Sequence, residues 1–196
     1  MAVAAIQTYF KQLQGVMDRV GRDKSDAIVQ CVHLVVDTLR EGGKVLVMGN
    51  GGSAADAQHF AAELVGRFLM ERKALPSIAL TTDSSILTAV GNDYGFDEIF
   101  KRQVEALARP GDVVIGISTS GMSKNVFHAL IAANQIGCKT VGLLGRDGGT
   151  IAGIVDINLT VAEEHTPFIQ TAHGAVLHLL CDLLEKELFP PSGQTE

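Results

Sequence analysis

Five short apolar runs set the terms for this 196-residue chain: Val45 to Met48, Ser77 to Leu80, Val113 to Ile117, Thr140 to Leu144 and Ile157 to Val161. None alternates strictly between apolar and polar residues, so each reads as a strand covered on both faces rather than one with a solvated side. Longer stretches with helical spacing lie between them. That succession predicts an α/β fold, a parallel sheet between layers of helices. In such a sheet a ligand sits outside the carboxyl ends of the strands, which directs attention to the loops that follow them.

Before the first run, apolar residues recur at helical spacing from about Ala4 to Val20 and again from about Lys24 to Arg40, the second as Ile28, Cys31, Val32, Val35 and Val36. We read two helices here, ended by Gly42-Gly43. The chain closes with an amphipathic helix, roughly Phe168 to Phe189, stopped by Pro190-Pro191. Residues 1–40 are thus expected to form N-terminal helices that pack on the domain and in an oligomer, 41–189 the α/β domain, and 190–196 a flexible tail. Terminal helices this apolar ordinarily need partners.

Composition narrows the function. With 46% hydrophobic and 19% charged residues the chain reads as globular, and a net charge of −6 with scattered Lys and Arg gives no basic footprint for nucleic acid. An anionic ligand must then be held by local dipoles and a few chosen side chains. No apolar stretch is long enough to span a bilayer, and Met1 to Gln7 lacks the basic flank of a signal peptide. Cys31, Cys138 and Cys181 are odd in number and far apart, which points to reduced structural thiols and a cytoplasmic setting.

The first strand runs into Gly49-Asn50-Gly51-Gly52-Ser53 and then a helical stretch. Glycines in such a turn bring backbone amides close to a phosphate. Gly49-x-Gly51-x-x-Ala54 also matches the dinucleotide fingerprint, with Asp83 after the next strand as a ribose-binding candidate, so a dinucleotide-binding oxidoreductase is one alternative. The third strand runs into Ser118-Thr119-Ser120-Gly121-Met122-Ser123, four hydroxyls within six residues at a helix start. Helix-start amides favour a phosphate dianion, and hydroxyls donate to it without adding fixed charge. Capping is expected to use one or two of these serines, not all four hydroxyls. Met122 after Gly121 breaks the Gly-Lys-Ser/Thr signature of a nucleoside triphosphatase.

Glu63 follows His59 by four residues on the helix after the first loop, so a carboxylate and an imidazole share one face beside a possible phosphate cradle. That is a candidate metal or acid/base site. His33 and His128 read as structural, His165 as solvated, and Asp97 and Glu98 as a solvated helix start. His173 reads equally well as structural or as orienting a ligand.

The Gly49-Asn50-Gly51-Gly52-Ser53 turn, the Gly91-Asn92-Asp93 step, the Ser118-Thr119-Ser120-Gly121-x-Ser123 loop and Ile169-Gln170-x-x-His173 occur in an order that resembles the sugar isomerase (SIS) domain proteins. Within them the chain is similar to the bacterial phosphoheptose isomerases from Ala4 to Phe189. The resemblance implies a flavodoxin-like, three-layer domain with a five-stranded parallel sheet, in a homotetramer whose active sites lie at subunit interfaces. It implies conversion of sedoheptulose 7-phosphate to D-glycero-D-manno-heptose 7-phosphate, the first step toward the heptoses of lipopolysaccharide core, S-layer or capsule. It further implies that Asn50, Gly51, Gly52, Ser53, Glu63, Asn92, Asp93, Ser118, Thr119, Ser120, Ser123 and Gln170 contact the phosphosugar, and that His59, Glu63, Gln170 and His178 bind one zinc per subunit.

A related branch, the DnaA-initiator-associating proteins, keeps the fold and the phosphosugar loops as a non-catalytic regulator but lacks the residues that stand here as Glu63 and His178. Thr166-Pro167-Phe168 departs from the family, many of whose members carry a charged residue just before the Ile-Gln pair. Ketose-to-aldose isomerisation needs a base, a partner acid and a polarised carbonyl, and Glu63 and His178 are the candidates for the proton transfers. Gln170 and His178 lie eight residues apart, about 12 Å along a straight helix, so Gln170 is expected at the helix entrance or one ligand from a neighbouring subunit.

Overall fold

The computed structural model describes residues 1–190. Its sheet has five strands, β1 (Val45–Gly49), β2 (Ser77–Ala79), β3 (Val113–Ser118), β4 (Lys139–Gly145) and β5 (Ile157–Val161), in the spatial order β2-β1-β3-β4-β5 with every neighbouring pair parallel. Six helices accompany it: α1 (Ala2–Arg40), α2 (Gly52–Val65), α3 (Ser84–Asp93), α4 (Lys101–Leu107), α5 (Lys124–Ile136) and α6 (Thr166–Leu188). A short 3₁₀ turn, Phe96–Glu98, precedes α4.

The absence of alternation in the apolar runs has its cause in this layering. Every residue of β1 and β3 is buried. Val45 and Val47 face one apolar layer with side chains from α1, α2 and α6, while Leu46 and Met48 face the other with side chains from α4 and α5. Both faces are dry, so both must be apolar. Asp112 secures the amino ends of β1 and β3 by accepting from the backbone amides of Lys44 at 2.9 Å and Arg109 at 2.8 Å while pairing with the Lys44 ammonium. The carboxyl ends are left free to build loops.

One expectation needs correction. The two N-terminal helices are a single helix of 39 residues, α1, roughly 58 Å long. The break expected between Val20 and Lys24 does not occur, because Val16 and Val20 carry the apolar stripe onward to Ile28 and Cys31 across Gly21. A glycine inside a helix costs only about 1 kcal/mol against alanine, which packing along α6 and β5 offsets. Pro167 stands in the first turn of α6, where its missing N–H has no helical partner to lose. The tail expected over 190–196 lies, beyond Pro190, outside the described residues.

Because α1 runs unbroken through Gly21 and nothing lies within 4 Å of the Cβ that a substitution would add, Gly21→Ala should raise stability by about 1 kcal/mol. Thermal unfolding checks this: a midpoint that rises fits one continuous helix, and a fall would mean that the chain turns at Gly21.

Candidate active site

β1 and β3 are hydrogen-bonded neighbours, so the loops that leave their carboxyl ends lie side by side. A pair of amides ties them together. Asn50 Nδ2 donates to Asn125 Oδ1 at 2.9 Å, and Asn125 Nδ2 donates to Asn50 Oδ1 at 2.8 Å. Asn125 is 2% exposed, so each amide supplies the partner the other would lose on leaving water.

Neither helix that starts here carries a side-chain cap. Gly51 stands at the N-cap of α2, and Ser123 at that of α5 makes no capping bond. The Ser123 hydroxyl instead pairs with Ser118 Oγ at 2.9 Å, and Ser120 Oγ accepts from the Met122 amide at 3.2 Å. The serines expected to cap α5 therefore do not. Two helix amino ends whose N-cap residues make no side-chain capping bond, beside Ser118, Thr119, Ser120 and Ser123, form the kind of cradle an anion finds at a helix start, although Asn125 Oδ1 takes the Val126 amide of α5 at 2.9 Å. The second loop rests on backbone: a Cβ on Gly121 would run into Gly148 and Gly149 of the turn after β4, and the Ile151 amide donates to Gly121 O at 3.1 Å.

α6 enters the same region from the side. Gln170 lies near its start, and its side-chain amide fills the space that a Cβ on Gly52 would occupy, so with glycine there the amide rests directly on the first loop. One further turn pair along, His178 meets α2. Its ring centroid is 4.9 Å from that of His59, nearly edge-on, and His59 Nε2 is 2.9 Å from Glu63 Oε1. Phe68 stacks on His178 at 5.6 Å and 17°.

His59, Glu63 and His178 thus line one cleft, with Asp56, Gly174, Leu177 and Cys181 as walls. Burial pushes the Cys181 thiol up to about 12, with Glu63 and Glu185 adding to the effect, so this sulfur stays protonated. Burial also raises Asp56, against the opposing influence of His59, and its Oδ2 has no partner. Two imidazoles and a carboxylate are donors that zinc accepts, and the gap between them, about 10 Å³, has room for a single water-sized sphere. Among the described residues no three such groups are set around one point: His59 Nε2 is engaged with Glu63, and Gln170 lies against Gly52 instead of lining the cleft.

Other candidates fall elsewhere. Asn92 and Asp93 sit at the end of α3, exposed and bonded to each other at 2.8 Å, and no bond joins them to the two loops within this chain. Asp83 caps α3 by accepting from the Ile86 amide at 2.9 Å, which removes it as the ribose-binding acid of a dinucleotide site. His33 lies on the surface of α1, and His128 pairs with Glu98 at 3.0 Å on a half-exposed helix face, so neither belongs to the core. Exposed His165 pairs with Glu163 at 3.0 Å.

His173 is structural. It is fully buried, Nε2 donates to the Leu144 carbonyl at 2.8 Å, and Nδ1 has no partner. The groups that sequence reasoning missed are Asn125 and a buried pair, Arg72 with Glu185, that holds the segment after α2, while Asp56, which reads from sequence as a helix-face residue with no strong claim, lines the cleft. Asn125 had a signal in its position two residues past Ser123. The pair, joined across 113 residues, had none.

The SIS domain family model matches residues 8–145, which include both loops, His59 and Glu63. The fold is therefore that of a sugar isomerase domain. A phosphoheptose isomerase from Syntrophotalea carbinolica is 81% identical over the whole of both chains, and one from Geotalea daltonii is 62% identical over 95% of this chain and 97% of its own. The solved phosphoheptose isomerase from Neisseria gonorrhoeae superposes with a TM-score of 0.90 at 42% identity, covering 95% of this chain and 100% of that one. The chain belongs to the phosphoheptose isomerases, aldose–ketose isomerases of the SIS domain family.

Burial holds His173 neutral, with a pKa lowered to about 4 against the bond to Leu144 that opposes the shift. The unfolded chain binds this proton below about 6.5 while the folded protein refuses it until about 4, so stability falls as pH drops through that window, by about 3 kcal/mol in all. His173→Gln, which keeps a donor for Leu144 O and does not titrate, should flatten the decline. Urea unfolding at pH 4.5 and 7 reads this directly, and equal slopes for the two proteins would refute it.

Proposed function

We propose that this chain converts sedoheptulose 7-phosphate to D-glycero-D-manno-heptose 7-phosphate, supplying heptose to a surface polysaccharide. The observation that carries the reading is the meeting of the Glu63 carboxylate and the His178 imidazole in one cleft beside two uncapped helix starts. The names of the relatives support the same substrate class.

The phosphate is taken by the cradle: Asn50, Gly51, Gly52 and Ser53 from the first loop, and Ser118, Thr119, Ser120 and Ser123 from the second. This fixes the sugar chain with its carbonyl end toward α2 and α6. Glu63 removes the proton from C1 of the ketose, the C–H electrons form the C1–C2 double bond, and the C2 oxygen takes a proton from His178. The enediol then loses the proton on the C1 oxygen to His178 and regains one at C2 from Glu63, which closes the aldose and restores both groups. Such general acid–base steps are worth about 10² to 10⁴ in rate.

Zinc, when bound, would supply polarisation of the carbonyl; His59, Glu63 and His178 would hold it only once His59 Nε2 leaves Glu63, and Glu63 would then be a ligand in one state and the base in another. Gln170 is read as a substrate contact on the strength of its approach to Gly52, and serving zinc as well asks it to swing away from that glycine. Asn92 and Asp93 are read as serving the site of a neighbouring subunit in a homotetramer. Supporting this, α3 buries none of its residues within the chain, and α1 leaves Val3, Ile6 and Phe10 exposed. Three buried free thiols, and no helix among the described residues long and apolar enough to cross a membrane, support a cytoplasmic enzyme. A regulator that binds phosphosugar without turnover would have no use for the cleft of His59, Glu63 and His178.

Following sedoheptulose 7-phosphate by NMR in deuterated water, with and without zinc, tests the proposal. The wild type should form the heptose 7-phosphate, and Glu63→Gln should lose at least 100-fold in kcat. No conversion by wild type under any metal condition would overturn it in favour of a binding regulator.

A further inference from the structure

Helix α2 ends two residues after Glu63, and the chain then folds back over residues 66–76 without regular structure. A segment of this kind is ordinarily loose, but here one carboxylate gathers it. Glu185 on α6 accepts from three successive amides, Phe68 at 2.9 Å, Leu69 at 2.8 Å and Met70 at 2.8 Å, and from Arg72 Nε at 3.0 Å. Arg72 turns its other nitrogens to the end of α2, donating to the carbonyls of Glu63 and Leu64 at 2.8 Å and of Gly66 at 3.1 Å. A guanidinium at the negative end of a helix dipole caps carbonyls that would otherwise be unsatisfied. Both side chains are 2% exposed. Burial alone would raise Glu185, but the three amides and Arg72 outweigh it and hold the carboxyl below its usual range.

The pair does more than close a loop. By fixing the backbone of Phe68 it sets that ring parallel to His178, which also meets His59 nearly edge-on, so two rings contact the imidazole. By bonding to Glu63 O it fixes the backbone of the other proton-transfer candidate. We propose that Arg72, Glu185 and Phe68 are positioning residues of the isomerase, a clamp running from α6 through the segment after α2 that holds the His178 ring plane and the Glu63 backbone in register. None of the three lines the cleft, so they act through His178 and Glu63 alone. The inference rests on the isomerase reading for its kinetic arm only.

Phe68 is only partly buried, so Phe68→Ala should fold. In the metal-free protein the His178 ring-proton signals, identified with His178→Gln, should lie upfield in the wild type and move downfield in Phe68→Ala as the stacked ring is lost. On sedoheptulose 7-phosphate, Phe68→Ala should lower kcat about tenfold with KM within twofold, and Phe68→Tyr should restore it to within twofold of wild type. Zinc affinity, read by chelator competition, should fall about fivefold in Phe68→Ala and return in Phe68→Tyr. If Glu185 acts through Phe68, Phe68→Ala combined with Glu185→Gln should be no slower than the slower single variant.

A Phe68→Ala protein with ring signals, kcat and zinc affinity all within twofold or unmoved overturns the clamp, as does strict additivity in the double variant. A wild type that turns over no ketose would overturn the isomerase reading instead, and the ring signals would then decide the clamp by themselves.

Discussion

The site depends on how closely backbone can approach backbone at the carboxyl edge of the sheet. Three connections meet there, and side chains would hold them apart. Gly121 lies on the main chain of Gly148 and Gly149, and Gly52 on the Gln170 amide. The loops after β1 and β3 are adjacent because those strands pair, and there Asn50 and Asn125 bond directly. A methyl at Gly121 would press on the main chain of Gly148 and Gly149 before it touched any ligand, whereas one at Gly52 would displace the Gln170 amide.

The sheet fixes where the loops are, while two helices bring the reactive groups to them. α2 leaves the first loop carrying His59 and Glu63 on one face, and α6 crosses it with Gln170 near the loop and His178 farther along. These helices share the apolar layer that also contains α1, so Phe60, Leu64, Leu177 and Leu180 fix their relative placement. Packing therefore decides the distance between an acid and a base that belong to different elements. The Arg72–Glu185 pair spans the same two helices with polar bonds, in a direction that apolar contacts cannot specify.

Much of this was legible in the sequence for a physical reason. A strand dry on both faces must be apolar throughout, so all five strands announced themselves, and a helix places residues four apart on one face, so His59 and Glu63 were a pair before any fold was known. What stayed hidden was settled by distant partners. Gly21 reads as a break unless one sees α6 and β5 supporting the helix through it. Asp83 reads as a ligand for ribose until the turn shows it capping its own helix. Ser123 reads as a cap until Ser118 is found within reach. Arg72 and Glu185 carry no local pattern, because their partnership exists only after α2 and α6 have packed.

The amide pair between Asn50 and Asn125 is uncharged on both sides. Carboxamides neither gain nor lose protons across the range in which a protein stays folded, so the spacing of the two loops does not respond to acidity. A phosphate monoester does respond, passing from monoanion to dianion near pH 6. For any such ligand held between these loops, the acidity dependence of capture would originate in the ligand's second ionisation, with the cradle serving as a gauge of fixed width.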